Sequence, residues 1–188
     1  MTNFRRLALS TAAATYLLVV IGAIVRSTGS GMGCPDWPTC HGSWIPPLSD
    51  TAAWIEWTHR TVAMVVGLLV LGLVILALAR HRRQLSLVVP SVAALALVAF
   101  QAYLGKITVE TNNAGEWVTA HLATALALLA LLTFIAIRAS YPRELSVRGR
   151  SQRYTLLAAF VAAAVYALML FGANVTASGA SLVFPDWP

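Results

Sequence analysis

Five apolar runs, each about as long as a membrane-crossing helix, constrain this chain more than any other feature. They fall at 7–25, 53–79, 85–104, 117–137 and 154–173. About 20 apolar residues in a helix cross the roughly 30 Å of hydrocarbon in a bilayer. A helix also satisfies its own backbone hydrogen bonds, which lipid cannot do. Composition agrees, because 59% of the 188 residues are hydrophobic and only 11% are charged. The mean hydropathy is +0.74, more apolar side chain than a soluble domain of this size can hide. The fold expected is therefore an all-α membrane protein built on a four-helix transmembrane bundle, with a fifth helix added. Arg5 and Arg6 precede the first run as they would in a signal peptide. That run is longer than a signal peptide's apolar region, and no small-residue cleavage site follows it cleanly.

The formal net charge of +6 does not point to nucleic acid once its distribution is seen. One alternating set of segments holds ten arginines, from Arg5 and Arg6 through Arg80, Arg82, Arg83 and Arg138 to Arg153, with a single acid, Glu144. The other set holds only Arg26, Arg60 and Lys106, alongside Asp36, Asp50, Glu56, Glu110, Glu116 and Asp186. By the positive-inside rule, the N-terminus is cytoplasmic and residues 26–52 lie outside the cell membrane. The partners implied by the charge are anionic lipids.

The segment at 22–38, GAIVRSTGSGMGCPDWP, returns 150 positions later at 172–188 as GANVTASGASLVFPDWP. Gly22, Ala23, Val25, Gly29, Pro35, Asp36, Trp37 and Pro38 are identical in the two copies. Shared loop composition does not produce four consecutive identities at a fixed offset. The fifth helix therefore begins a second, pseudo-symmetric repeat. The expected division is a four-helix half at 1–137, a polar cytoplasmic linker at 138–153, and the first helix and outer-loop start of an incomplete second half at 154–188. On this reading the chain is truncated relative to a two-repeat ancestor, or is a fragment of one.

His59 and His121 are the sharpest chemical signal. With helix starts expected near Ala53 and Gly115, each lies about six residues into its helix, or about 9 Å at the helical rise per residue. Both runs go from outside to inside, which puts the imidazoles at equal depth on parallel helices. That arrangement suits axial ligation of one heme iron, and ionisable residues inside a membrane default to function. The competing reading is interfacial histidines that bond to a neighbouring helix. Glu56 precedes His59 by three residues and shares its helix face. It is a candidate proton acceptor beside a bound heme, or else a helix-start carboxylate balancing the dipole with Arg60 as its partner.

Cys34 and Cys40 bracket PDWPT in the first outer loop. A disulfide is plausible in that oxidising compartment, against free thiols or a metal site completed by His41. Zinc usually takes four ligands, and only about three are near. The glycine-rich STGSGMG at 27–33 lacks the features of a phosphate loop and reads as flexible backbone packed over a buried ligand. Arg26 either pairs with a heme propionate or anchors at the interface. Gln101 reads as an interhelical hydrogen-bonding residue, and His81, among arginines, as solvated. Trp37, Trp44, Trp54, Trp57 and Trp117 fall together as an aromatic belt.

Taken together, GAIVRSTGSGMGCPDWPTCHG, EWTHR at 56–60, QAYLGKITV at 101–109, HLATA at 121–125 and the second PDWP resemble the heme A synthase family across essentially the whole chain. The resemblance implies eight helices in two four-helix halves. It implies oxidation of a heme O ring methyl to a formyl group, giving heme A for aa3-type terminal oxidases. It implies His59 and His121 as axial ligands of the substrate heme, Glu56 as a catalytic residue, Arg26 and Arg60 near the heme, and a Cys34–Cys40 disulfide. A further histidine pair binding heme b belongs to the family's second half and falls beyond residue 188. Heme O synthase and oxidase assembly factors are the partners implied, with a homo-oligomer as one way to supply a second half. Two other classes compete. One is a bis-histidine membrane cytochrome b that passes electrons without changing its heme. The other is a quinone-linked disulfide oxidoreductase, which normally needs two cysteine pairs where this chain has one.

Overall fold

A computed structural model describes residues 3–141 and 152–178. The second PDWP and most of the 138–153 linker, with Arg143, Arg148 and Arg150, lie outside the described residues. Within them the chain is helical: α1 (Asn3–Ser27), α2 (Thr51–His81), α3 (Leu85–Glu110), α4 (Gly115–Ser140) and α5 (Gln152–Ala177), plus a short 3-10 helix at Ser30–Met32. All five long helices are apolar and long enough to cross a membrane. The protein is a multi-pass membrane protein.

Each helix outruns the apolar stretch that announces it, because its ends can be polar without leaving helical geometry. The largest difference is in α3, which continues past Leu104 to Glu110. Lys106 and Glu110 pair at 3.4 Å across one turn there, so the last turn carries charges that satisfy each other. At the start of α2, Asp50 caps the helix by accepting the Ala53 amide at 2.9 Å, as an N-cap carboxylate does. The α3–α4 connection is four residues long, 111–114. Asn112 and Asn113 take positive φ of 52° and 58° there, a conformation asparagine tolerates.

Contacts run α1–α2, α2–α3, α3–α4 and α4–α1, and α5 packs on α4. Short connections make α2, α3 and α4 successively antiparallel, and Phe4 at the start of α1 beside His81 at the end of α2 makes that pair antiparallel too. So α2 and α4 stand diagonally across the bundle and run in the same direction, as do α1 and α3. No residue of α5 is buried. It is held to α4 by the Tyr166 hydroxyl, which donates to the Ala123 carbonyl at 2.9 Å.

The close-packed core fills one half of the bundle. Phe4 and Ala8 of α1 meet Val66, Val70, Leu73 and Ala77 of α2, with Leu87 and Ala94 of α3 and Leu128, Leu132 and Ile135 of α4. Buried hydroxyls there are satisfied within their own helices: Thr11 donates to the Leu7 carbonyl at 2.7 Å and Ser91 to the Leu87 carbonyl at 2.7 Å. His81 belongs to this end and is not the solvated residue the sequence suggested. Its ring stands edge-on to buried Phe4 at 5.1 Å, because the start of α1 packs beside the end of α2. Toward the other end the helix interiors change character. No residue of α2 between Glu56 and Val66, of α3 between Ala94 and Leu104, or of α4 before Leu128 is fully buried. Both candidate histidines lie in that half.

The 28–50 segment seats on this end through Gly33. A Cβ at Gly33 would lie 2.4 Å from the Ala52 carbonyl carbon and 2.5 Å from the Ala53 nitrogen, both rigid helix backbone. Gly33→Ala is expected to lift the segment off α2 and destabilise the protein by about 3 kcal/mol, the upper range for forced overpacking. Thermal unfolding in detergent measures this, and an unchanged midpoint would refute the contact.

Candidate functional site: two facing histidines under a disulfide loop

His59 lies eight residues into α2 and His121 six residues into α4, about 12 Å and 9 Å along the respective helices. Counted from the helix starts, the two differ by two residues, because α2 begins at Thr51 rather than near Ala53 while α4 begins at Gly115 as expected. Since α2 and α4 are diagonal, the two rings approach from opposite sides of the bundle and are within electrostatic reach of each other. The Nδ1 of each is buried without a hydrogen-bond partner. The reading of these residues as histidines bonded to a neighbouring helix therefore finds no support at Nδ1. Among the described residues neither ring makes a side-chain hydrogen bond, so Nε2 of each is free, which is what a six-coordinate heme iron requires of two imidazoles. A buried polar atom without a partner otherwise costs about 1–3 kcal/mol.

Glu56, 4% exposed, is the one buried carboxylate among the described residues. Its Oε2 accepts the Cys34 amide at 2.9 Å and its Oε1 meets Arg60 Nη2 at 2.5 Å. The predicted i, i+4 pair with Arg60 is therefore present. The sequence did not disclose what else Arg60 does. Its Nη1 donates to the carbonyls of Asp36 at 2.7 Å and Thr39 at 2.9 Å, and its Nη2 to that of Cys34 at 2.8 Å. One planar guanidinium thus ties three points of the loop to α2, a use of the multi-donor fork that lysine cannot copy.

Cys34 and Cys40 form a disulfide with a Cα–Cα distance of 4.5 Å. This removes the free-thiol and zinc readings. Both cysteines are buried against Ala53 and Trp57. His41 instead bonds the Gly33 carbonyl through Nε2 at 2.9 Å. Asp36 organises the turn between the cysteines, accepting the His41 amide at 2.6 Å, the Gly42 amide at 2.9 Å and the Thr39 hydroxyl. These donors, Thr39 first, pull its carboxyl down to about 2. That explains the aspartate of PDWP. Tryptophans complete the rim: Trp57 Nε1 donates to the Trp44 carbonyl at 2.7 Å and Trp54 Nε1 to that of Pro47 at 3.1 Å.

Arg26, exposed at the end of α1, donates from Nη2 to the Thr176 carbonyl of α5 at 3.3 Å. Gln101 of α3 donates to the His121 carbonyl at 3.3 Å and to the Thr124 hydroxyl, the interhelical role expected of it. The glycine-rich segment is a packing element, with Gly33 against α2 and Gly31 against Asn113.

The family described as cytochrome oxidase assembly protein matches this chain over residues 5–188. This chain belongs to the heme A synthase family. The heme A synthase of Shouchella clausii is 31% identical over 99% of this chain and 63% of its own length. That of Geobacillus thermodenitrificans is 31% identical over 95% of this chain and 58% of its own, and that of Exiguobacterium sibiricum 27% over 98% and 64%. The chain thus spans about three fifths of the length of the curated relatives it matches. No solved structure matches it.

Arg60→Ala would leave Glu56 buried without its cation and release three loop carbonyls. Loss of one partner of a buried pair costs about 3–5 kcal/mol. The expected result is a lowered unfolding midpoint and faster reduction of the Cys34–Cys40 disulfide by a mild thiol. A disulfide reduced at the wild-type rate would show that the clamp does not hold the loop.

Proposed function

We propose that this chain supplies the substrate half of a heme A synthase, holding heme O between His59 and His121 while a ring methyl is oxidised to a formyl group. The observation that carries this reading is the diagonal histidine pair with unpaired buried Nδ1 atoms, in the half of the bundle where side chains do not close the interior. Family membership supplies the reaction class, and heme brings the iron and the methyl to be oxidised. Residues 1–137 form the heme-binding half, and α5 begins a second unit after the 138–153 linker. A heme b site belongs to that second half.

Glu56 favours an enzyme over an electron-transfer cytochrome. A bis-histidine cytochrome needs no carboxylate one turn from its ligand, whereas oxidation of a methyl releases protons that a base must take. Glu56 is held in place by the Cys34 amide and Arg60, so its carboxylate is oriented rather than mobile. Arg60 serves the heme through that carboxylate and the loop. Arg26 is the exposed cation at this end suited to a propionate. The arginines of the opposite end face the cytoplasm, which puts the disulfide loop outside the cell membrane. Heme O synthase upstream and the aa3-type oxidase downstream are the partners this chemistry calls for.

The test is the heme extracted from the purified chain after expression in cells that make heme O. Heme O, its hydroxylated form or heme A supports a substrate site, and heme b alone supports the cytochrome reading. His59→Ala and His121→Ala are each expected to lose the heme while keeping wild-type helicity. Full heme content in both would remove them as ligands. Glu56→Ala, in a protein carrying both halves, is expected to keep heme O and lose its oxidation by a factor of about 100 or more, the scale of a positioned acid–base group. Wild-type turnover in that variant would take Glu56 out of the reaction.

A further inference from the structure

The two histidines are seated by the two helices that carry neither. A Cβ built on Gly22 of α1 would lie 3.2 Å from His59 Cε1, with Nδ1 at 3.7 Å and Nε2 at 4.0 Å. The imidazole edge therefore rests directly on the α1 backbone. A Cβ on Gly105 of α3 would lie 3.6 Å from His121 Cε1. Gln101, one turn before Gly105 on the same face of α3, binds the His121 carbonyl at 3.3 Å and the Thr124 hydroxyl. Thr124 in turn donates to the Ala120 carbonyl at 2.8 Å. Gln101 thus fixes the α4 backbone at the residue whose side chain Gly105 admits.

Glycine inside a helix is unfavourable by about 1 kcal/mol against alanine, so two such residues opposite two imidazoles call for a reason. General close packing does not provide it. Gly67 and Gly72 also face neighbours, but what they meet are flexible tips, Val98 Cγ1 at 3.5 Å and Leu7 Cδ2 at 3.6 Å. Only Gly22 and Gly105, among the described glycines, meet a histidine ring. The internal repeat keeps a glycine, Gly172, in register with Gly22.

We propose that Gly22, Gln101 and Gly105 are positioning residues that set the separation and tilt of the His59 and His121 imidazoles for an iron porphyrin between them. This rests on the ligand assignment proposed above. Each glycine meets the Cε1 edge of its ring, next to Nε2, so a methyl added there shifts or turns that ring and with it the Nε2 that would meet the iron. Gly22 is the more sensitive position, because 3.2 Å is closer than an ordinary Cβ contact and 3.6 Å is an ordinary one.

The experiment titrates heme O into the detergent-solubilised full chain and reads affinity together with the optical and electron paramagnetic resonance signatures of a low-spin, six-coordinate iron. Wild type is expected to give that signature, and His59→Ala and His121→Ala to abolish it. If wild type does not give it, the ligand assignment fails first and this proposal with it. With the assignment standing, Gly22→Ala and Gly105→Val are expected to weaken binding about tenfold and shift part of the iron to high spin, the size of effect that overpacking produces. Gly105→Ala should shift it less than Gly22→Ala. Gln101→Leu adds no bulk, and should cost about threefold to tenfold in affinity with altered g-values, as loss of an intramembrane hydrogen bond does. Gly72→Ala is expected to match wild type. A wild-type spectrum and affinity in Gly22→Ala, Gly105→Val and Gln101→Leu overturns the proposal. Should Gly22→Ala lose helicity, Gln101→Leu decides by itself, since a merely structural contact would change stability and leave the iron's signature alone.

Discussion

In hydrocarbon, a peptide group has no partner except another peptide group or a side chain brought to it. That constraint organises this molecule. It makes the chain five long helices, and it confines irregular backbone to a few places at the helix ends. The largest of these among the described residues, the 28–50 segment, takes some donors and acceptors from itself, as at Asp36, and needs others from the bundle where it is seated. Arg60 and Glu56 of α2 supply them, giving the loop three guanidinium bonds to carbonyls and one carboxylate for an amide. Two charges that would be costly alone become the attachment of the loop to the bundle. The disulfide then closes the attached strip on itself, with both sulfurs buried against α2.

The same constraint explains why the bundle is uneven along its length. The half lined by Phe4, Leu73, Leu132 and Ile135 is packed with side chains and its few hydroxyls bond within their helices. The half beneath the disulfide loop holds His59, His121 and Glu56, and its helix interiors are only partly closed. A membrane bundle gains stability from close van der Waals contact, so an unclosed half signals that something other than protein side chains belongs there. On the function proposed, rigidity and ligand binding are separated along the bundle axis. The packed half holds the four helices in register, and the other half presents imidazoles across the gap between diagonal helices.

Much of this was legible in the sequence because it depends on local chemistry. Runs of apolar residues fix helix number, though not that α3 extends past its run to the Lys106–Glu110 pair. The Glu56–Arg60 spacing foretold their pairing, and the cysteines in one short loop foretold their bond. His81 was misread for an equally physical reason. Its neighbours in the chain are arginines, but its neighbour in space is Phe4, from the far end of the sequence.

The sequence by itself determined the class of protein, its five helices, the internal repeat and the residue types available for heme chemistry, because hydropathy and i, i+4 spacing act over a few turns. Tertiary structure alone decided which helices are diagonal, that Arg60 grips three loop carbonyls, that Gly33 abuts helix backbone, and that Gly22 and Gly105 lie against the edges of the two imidazoles. These are contacts between residues tens of positions apart, and they are set by the order in which helices pack around the bundle. A glycine in a string of apolar residues has the same appearance whether it faces lipid or a histidine ring.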